Sequence, residues 1–288
     1  MKEKLKGKQK ERLKLKKKEV LITLAVLLFF TIYLSPLVIA LSGSLRSPDN
    51  LESYLKLFSQ VNLQSYRVAF EKMYYFRSFL NSVINTGVSV AVLVLFTSLA
   101  GYAIARLQNK IGAFLQIFFM AGMIVSAQMS IIPMYNIVRG FGLNEGRVAP
   151  IIMYVTSCTA FSVFLFINFV KGSVPYSLEE AATIDGAGTL YTFFVIVMPL
   201  IKPAIVSVVI TQGVPIWNDF FFSMLFLSKP VMKTLPLMMM NFIGDMENTT
   251  QWNILFAACY LSAIPLLVAY GFLQRHFIGG LTVGAVKG

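Results

Sequence analysis

Few side chains in this sequence could carry covalent chemistry. One histidine, His276, and two cysteines occur in 288 residues, too few for a Ser/His/Asp arrangement or a His/Cys metal site. Cys158 and Cys259 lie inside apolar runs and read as small packing residues. His276 reads as an interfacial cation at the end of the last helix. No G-x-x-x-x-G-K-[ST] phosphate-binding loop is present, so ATP hydrolysis is not expected of this chain. The unusual residues are concentrated in "SLEEAATIDGAG", 177–188, where two glutamates and an aspartate sit among alanines and glycines between long apolar runs. That composition suits docking rather than bond making. Small side chains let another backbone come close, and glutamates at a helix start make a negative, hydrogen-bonding tip.

The local signals predict a short helix. Ser177 is a good N-cap, and Glu180 at the third helical position completes a capping box of the S-x-x-E type. Glu179 and Glu180 also sit at the positive end of the helix dipole. Ala181, Ala182 and Ile184 give helix formers with a small, slightly apolar face, while Gly186 and Gly188 end the helix or let it bend sharply. An ordinary structured loop is the plainer reading of the same composition.

The rest of the sequence places this segment beside a membrane. Apolar residues make up 57% and charged residues 13%. Soluble domains carry roughly 25% charged residues, so an integral membrane protein is expected. A helix needs about 20 apolar residues to cross the hydrocarbon core. Uncharged runs of that length fall at 20–41, 78–105, 113–138, 148–170 and 253–274, with another at 203–228 interrupted only by Asp219. The expected fold is all-α, with six transmembrane helices in a single domain over 20–288 behind a basic tail over 1–19. The first run is too long for a signal-peptide core of about 7–15 residues and reads as a permanent anchor.

The net charge of +12 would raise nucleic acid as a partner for a soluble protein. Here ten of the 25 basic residues lie within the first 18 positions. A cationic tail ahead of an apolar run holds an N-terminus in the cytoplasm beside anionic lipid, so no nucleic-acid role is expected. Six spans then put both termini inside, and the segment 171–202 with its acidic stretch lies inside too. The inner side carries 16 Lys and Arg against nine outside, an excess that comes from the tail.

Asp219 is the one acid within an expected span, and an intramembrane carboxylate is a candidate functional group. It either lines a solute pathway, with Asn218 beside it, or makes a helix-to-helix contact; the plainer reading puts Asn218 and Asp219 near the outer interface or capping a helix broken at Pro215. Asn81, Asn85, Gln128, Asn136, Asn168 and Gln212 either face such a pathway or bond helices together. Pro133, Pro203, Pro215 and Pro265 read as kinks.

The stretch "EAATIDGAGTLYTFFVIVMPLIKPA" resembles the EAA signature of the membrane subunits of binding-protein-dependent ABC importers. Glu180-Ala181-Ala182 are followed after three residues by Gly186, then by Ile196 and Pro199. With Asp185-Gly186-Ala187 and Pro203-Ala204 the pattern looks most like the carbohydrate-uptake, maltose-type permeases. Met198 departs from the usual Leu, a volume-conserving change. "PIWNDFFFSMLFL" (215–227) and "GGLTVGAVKG" (279–288) are similar to that family's fifth span and C-terminal tail.

The resemblance implies a type I importer permease fold whose loop at about 172–200 contains a coupling helix. That helix docks on a cytoplasmic ATPase, with Glu179, Glu180, Ala181, Ala182, Asp185 and Gly186 as the coupling residues. It implies no catalysis and no cofactor bound by this chain, with ATP and Mg used by the partner ATPase dimer. It also implies a second homologous permease, an extracytoplasmic sugar-binding protein and a prokaryotic plasma-membrane location. Segment 229–252 then occupies the place of a loop that reaches into the binding protein, with Asn241, Phe242 and Trp252 as contact candidates, although a plain loop fits as well. The competing class is an ion-coupled secondary transporter, which usually needs several intramembrane charges or broken repeats.

Overall fold

A computed structural model describes residues 2–50, 53, 56–126, 128–143, 145–244 and 249–285, the side chains of 2–17 and 273–285 excepted. Every regular element among these residues is helical. Hydrocarbon offers backbone N–H and C=O groups no partner, and a helix satisfies them within itself. In chain order come α1 (Lys2–Ser44), α2 (Gln64–Lys72), α3 (Tyr75–Arg106), α4 (Lys110–Gly122) and α5 (Ile131–Gly140). After them lie α6 (Val148–Ser173) and α7 (Tyr176–Ile184). Two short pieces, α8 (Thr189–Tyr191) and α9 (Met198–Leu200), flank a π-helical turn at Thr192–Val197. The chain continues through α10 (Lys202–Asn218), α11 (Phe221–Phe226), α12 (Leu235–Met239) and α13 (Trp252–Ala285).

The chain divides into two compact units. One comprises Met1–Ala69 and Phe242–Tyr260. Within it, Asn253 Nδ2 donates to the carbonyls of Ser47 (2.8 Å) and Asn50 (2.9 Å), and Tyr260 donates to Leu37 O at 2.6 Å. The Arg46 guanidinium is buried and donates to the carbonyls of Ser53 and Lys56.

The other unit, Phe70–Asn241 and Leu261–Gly288, holds the main apolar core. Its centre is the pair α3 and α6, which run in the same direction: Asn81 meets Arg147, Gly101 meets Phe166 and Arg106 meets Val174. Gly101 is required there, since a Cβ would lie 2.5 Å from Phe166 Cβ. Leu93, Val163, Phe166, Ile167 and Val170 are fully buried around this seam.

Among the described residues, four helical segments are long and apolar enough to cross a membrane: Lys18–Ser44, Tyr75–Arg106, Val148–Ser173 and Trp252–Phe272. They coincide with four of the expected runs. A fifth is formed only if Thr189–Leu200 and Lys202–Asn218, bent by 74° at Ile201, are taken together. Pro203 sits in the first turn of α10, where a helix tolerates it and a continuing helix would not.

The run 113–138 departs from expectation, because it is not one helix. α4 ends at Gly122 and α5 begins at Ile131. Pro133 falls in the first turn of α5, and its ring would strike the carbonyl four residues earlier in an uninterrupted helix. Pro133 therefore marks a new start rather than a kink. Pro215 is the converse case, since α10 runs through it to Asn218.

Candidate functional site

The acidic stretch folds as the nine-residue helix α7, with a start that differs from the sequence reading. The N-cap is Pro175, not Ser177, and no side chain caps it, so the Ser177–Glu180 capping box is not formed. Val174, preceding a proline, is held extended. Pro175 itself has φ −63° and ψ 137°, so the chain turns into the helix at Tyr176. Ser177 then lies within the first turn. The end matches expectation. Ala187 N–H donates to Ala182 O (2.9 Å) and Gly186 N–H to Thr183 O (3.0 Å), a Schellman pair around Gly186 at φ +83°. Gly186 is thus demanded by backbone conformation, and a Cβ there would meet nothing within 4 Å.

α7 has two unlike faces. On one, Ala182 is buried and Glu179 turns inward to α3. Tyr102 donates its hydroxyl to Glu179 Oε2 at 2.8 Å, and Arg106 Nε donates to Oε1 at 2.9 Å. Arg106 Nη2 forms an ion pair with the same oxygen and donates to Val174 O at 2.9 Å. The guanidinium also lies 4.2 Å from the centre of the Tyr176 ring, a cation–π contact. Both side chains of the pair are only 13% exposed. Tyr102 in turn packs against Phe193 in the π-helical turn, with ring centres 5.3 Å apart.

The other face is open. Glu180, Ala181, Asp185 and Gly186 are exposed, and Ile184 is 86% exposed. Of the six coupling candidates, then, four present themselves outward and Glu179 and Ala182 serve the chain's own packing. Arg106 and Tyr102 escaped the sequence reading. The available signal was Arg106 itself, a lone charge closing a long uncharged run.

The remaining candidates are scattered. Asp219 Oδ2 accepts from the Tyr154 hydroxyl (2.7 Å) and from the N–H groups of Phe222 (3.0 Å) and Ser223 (3.2 Å). It therefore caps α11, while Asn218 is exposed and bonds back to Val214 O. Asn81 Nδ2 donates to the carbonyls of Val231 and Lys233, both at 2.9 Å, and its Oδ1 accepts from Arg147 at 2.5 Å. Next to it, Ser82 Oγ accepts from Leu235 N–H at 2.9 Å. These polar groups bind helix to loop. Asn241 is exposed and Trp252 is 51% exposed, but Phe242 is 1% exposed, so its ring offers no contact surface. The side chain of His276 lies outside the described residues. Among the described residues no three His, Cys, Asp or Glu side chains converge as metal ligands would.

The sequence pattern of the family described as "Binding-protein-dependent transport system inner membrane component" matches residues 75–282. The chain is 33% identical to the melibiose/raffinose/stachyose import permease protein MelC of Bacillus subtilis (strain 168), over 93% of its own length and 96% of that protein. It is 32% identical to the multiple sugar-binding transport system permease protein MsmG of Streptococcus mutans, over 97% and 100% respectively. In fold it is similar to a chain of a bacterial ABC transporter involved in the import of the acidic polysaccharide alginate. That likeness has a TM-score of 0.78 at 22% identity and covers 90% of this chain and 96% of the other. The chain is a multi-pass membrane protein and belongs to the family of binding-protein-dependent transport system inner membrane components.

Proposed function

We propose that this chain is the permease subunit of an ATP-driven importer of a sugar or oligosaccharide, with α7 as the helix that docks on the cytoplasmic ATPase. The carrying observation is the two-sidedness of α7. One face is bound to the chain's own helices through Glu179, while Glu180, Ala181, Ile184, Asp185 and Gly186 stand open to a partner. An apolar side chain as exposed as Ile184, beside two acids, suits a protein groove with basic residues at its rim. The names of the relatives, which include import of melibiose, raffinose and stachyose, support a carbohydrate cargo.

The working assembly would contain a second homologous permease completing the pathway, an ATPase dimer using ATP and Mg, and an extracytoplasmic sugar-binding protein. Asn241 and Trp252 remain candidates for contact with that protein. The chain would make six crossings of a prokaryotic plasma membrane with both termini cytoplasmic. Four would be single helices, one the bent α8–α10 segment and one the interrupted α4–α5 segment. Use of Asp219 as a helix cap speaks against an ion-coupled carrier, which would need that carboxylate for its ion.

Affinity purification of the tagged chain from mild-detergent membranes, with mass spectrometry of co-purifying proteins, tests the reading. Recovery of an ABC ATPase and a second permease, with the ATPase lost on joint replacement of Glu180 and Gly186, is expected. A chain that purifies alone or as a homo-oligomer would remove the importer reading.

A further inference from the structure

We infer that Arg106 is the positioning residue that makes α7 mechanically one with the ends of α3 and α6, so that force on the docking helix reaches the membrane helices. This rests on the docking role proposed for α7. One guanidinium meets three elements. Arg106 is the last residue of α3, it bonds and ion-pairs with Glu179 of α7, and it donates to Val174, the residue that closes α6. Its plane also covers Tyr176, the first residue of α7.

The attachment resists rotation as well as separation. Tyr102 and Arg106 stand one turn apart on the same face of α3 and take different oxygens of the Glu179 carboxylate. A carboxylate gripped at both oxygens cannot swivel without breaking a bond. Just before Tyr102, Gly101 lets the backbones of α3 and α6 close to a distance that excludes a Cβ, so the two helix ends form a stiff seat.

The other end of α7 leads to α10 less directly. It passes through the left-handed Gly186, then Gly188, then the π-helical turn and the 74° bend at Ile201 before α10 begins. A push on α7 therefore meets a direct charged connection on the α3/α6 side, whereas α10 is reached only through the intervening turn and bend. Lysine could not take Arg106's place, because a single ammonium lacks the planar fork that reaches Glu179 and Val174 together.

The test uses the complete importer in lipid vesicles, with solute uptake and ATP hydrolysis read on the same sample. Arg106→Gln is expected to retain the ATPase and its turnover while uptake per ATP falls about tenfold, within the usual range of coupling between sites. Arg106→Lys should recover only part of that loss. Glu179→Gln, which removes the ion pair from the side of α7 and leaves Arg106 in place, should lower uptake per ATP in the same direction, and it serves if Arg106→Gln fails to assemble. Unchanged uptake per ATP in an assembled Arg106→Gln complex overturns the inference. So does a proportional fall of uptake and hydrolysis at constant ratio, which would make Arg106 a stabilising residue only. Unchanged uptake per ATP in an assembled Glu179→Gln complex also overturns it. If the unsubstituted chain binds no ATPase, the docking role itself fails, a result distinguishable from all of these.

Discussion

The two ends of α3 hold their neighbours in different ways. Near its start, Asn81 and Ser82 grip the chain around the start of α12 by its backbone: two carbonyls before the helix and the N–H of its first residue. At its finish, Tyr102 and Arg106 grip α7 by side chains, the Glu179 carboxylate above all and the Tyr176 ring beside it. A grip on backbone groups is indifferent to the sequence it holds and leaves a fixed attachment. A grip centred on a carboxylate depends on the identity of the residue held, carries charge in a largely buried setting, and can be made or lost as a unit. The first arrangement suits an anchored loop, and the second suits a part that transmits movement.

The largest expected effect is at the charged end. Glu179→Ala strands the Arg106 guanidinium without its counter-ion and should cost about 3 kcal/mol, measured as the free energy of unfolding in SDS–detergent mixtures. Amide exchange across α7 should rise with it. Asn81→Leu should cost about 2 kcal/mol by leaving two carbonyls and Arg147 short of a partner, with exchange in α7 unchanged. If this variant lowered uptake per ATP as far as Glu179→Ala does, the proposed division between the two ends would collapse. Tyr102→Phe removes one hydrogen bond to a charged acceptor and should cost about 1.5 kcal/mol, with a smaller rise in α7 exchange. Ser82→Ala, which deprives only Leu235 N–H, should cost about 1 kcal/mol and leave transport untouched.

Much of this was legible in the sequence, and the rest depends on packing. The finish of α7 could be read because Gly186 is one of few residues at ease at φ +83°. Its start could not, because a proline pre-set in the extended region displaced the better capping side chain of Ser177. Which glutamate faces inward was equally hidden. Glu179 and Glu180 are chemically equal and about 100° apart around the helix, and only the position of Arg106, 73 residues earlier, separates them. The run 113–138 passed as a span on apolar content, which cannot weigh the clash that Pro133 would cause. For Asp219 the sequence left pathway lining, helix-to-helix contact and cap open, and only the fold brings its carboxylate to Tyr154 of α6 and to the N–H groups of Phe222 and Ser223.

The π-helical turn bears on how the length of this region can change. Met198 N–H reaches back five residues to Phe193 O, so the turn stores one residue more than an α-helical ring would. Deleting a residue from an ordinary helix rotates everything beyond it by about 100°. A deletion within 192–197 would instead let the turn relax to α and keep Ile201, Ala204 and Val208 in phase with the core they fill. The stretch between α7 and α10 thus has a slack residue, and a length change can be absorbed there without re-indexing the membrane helix that follows.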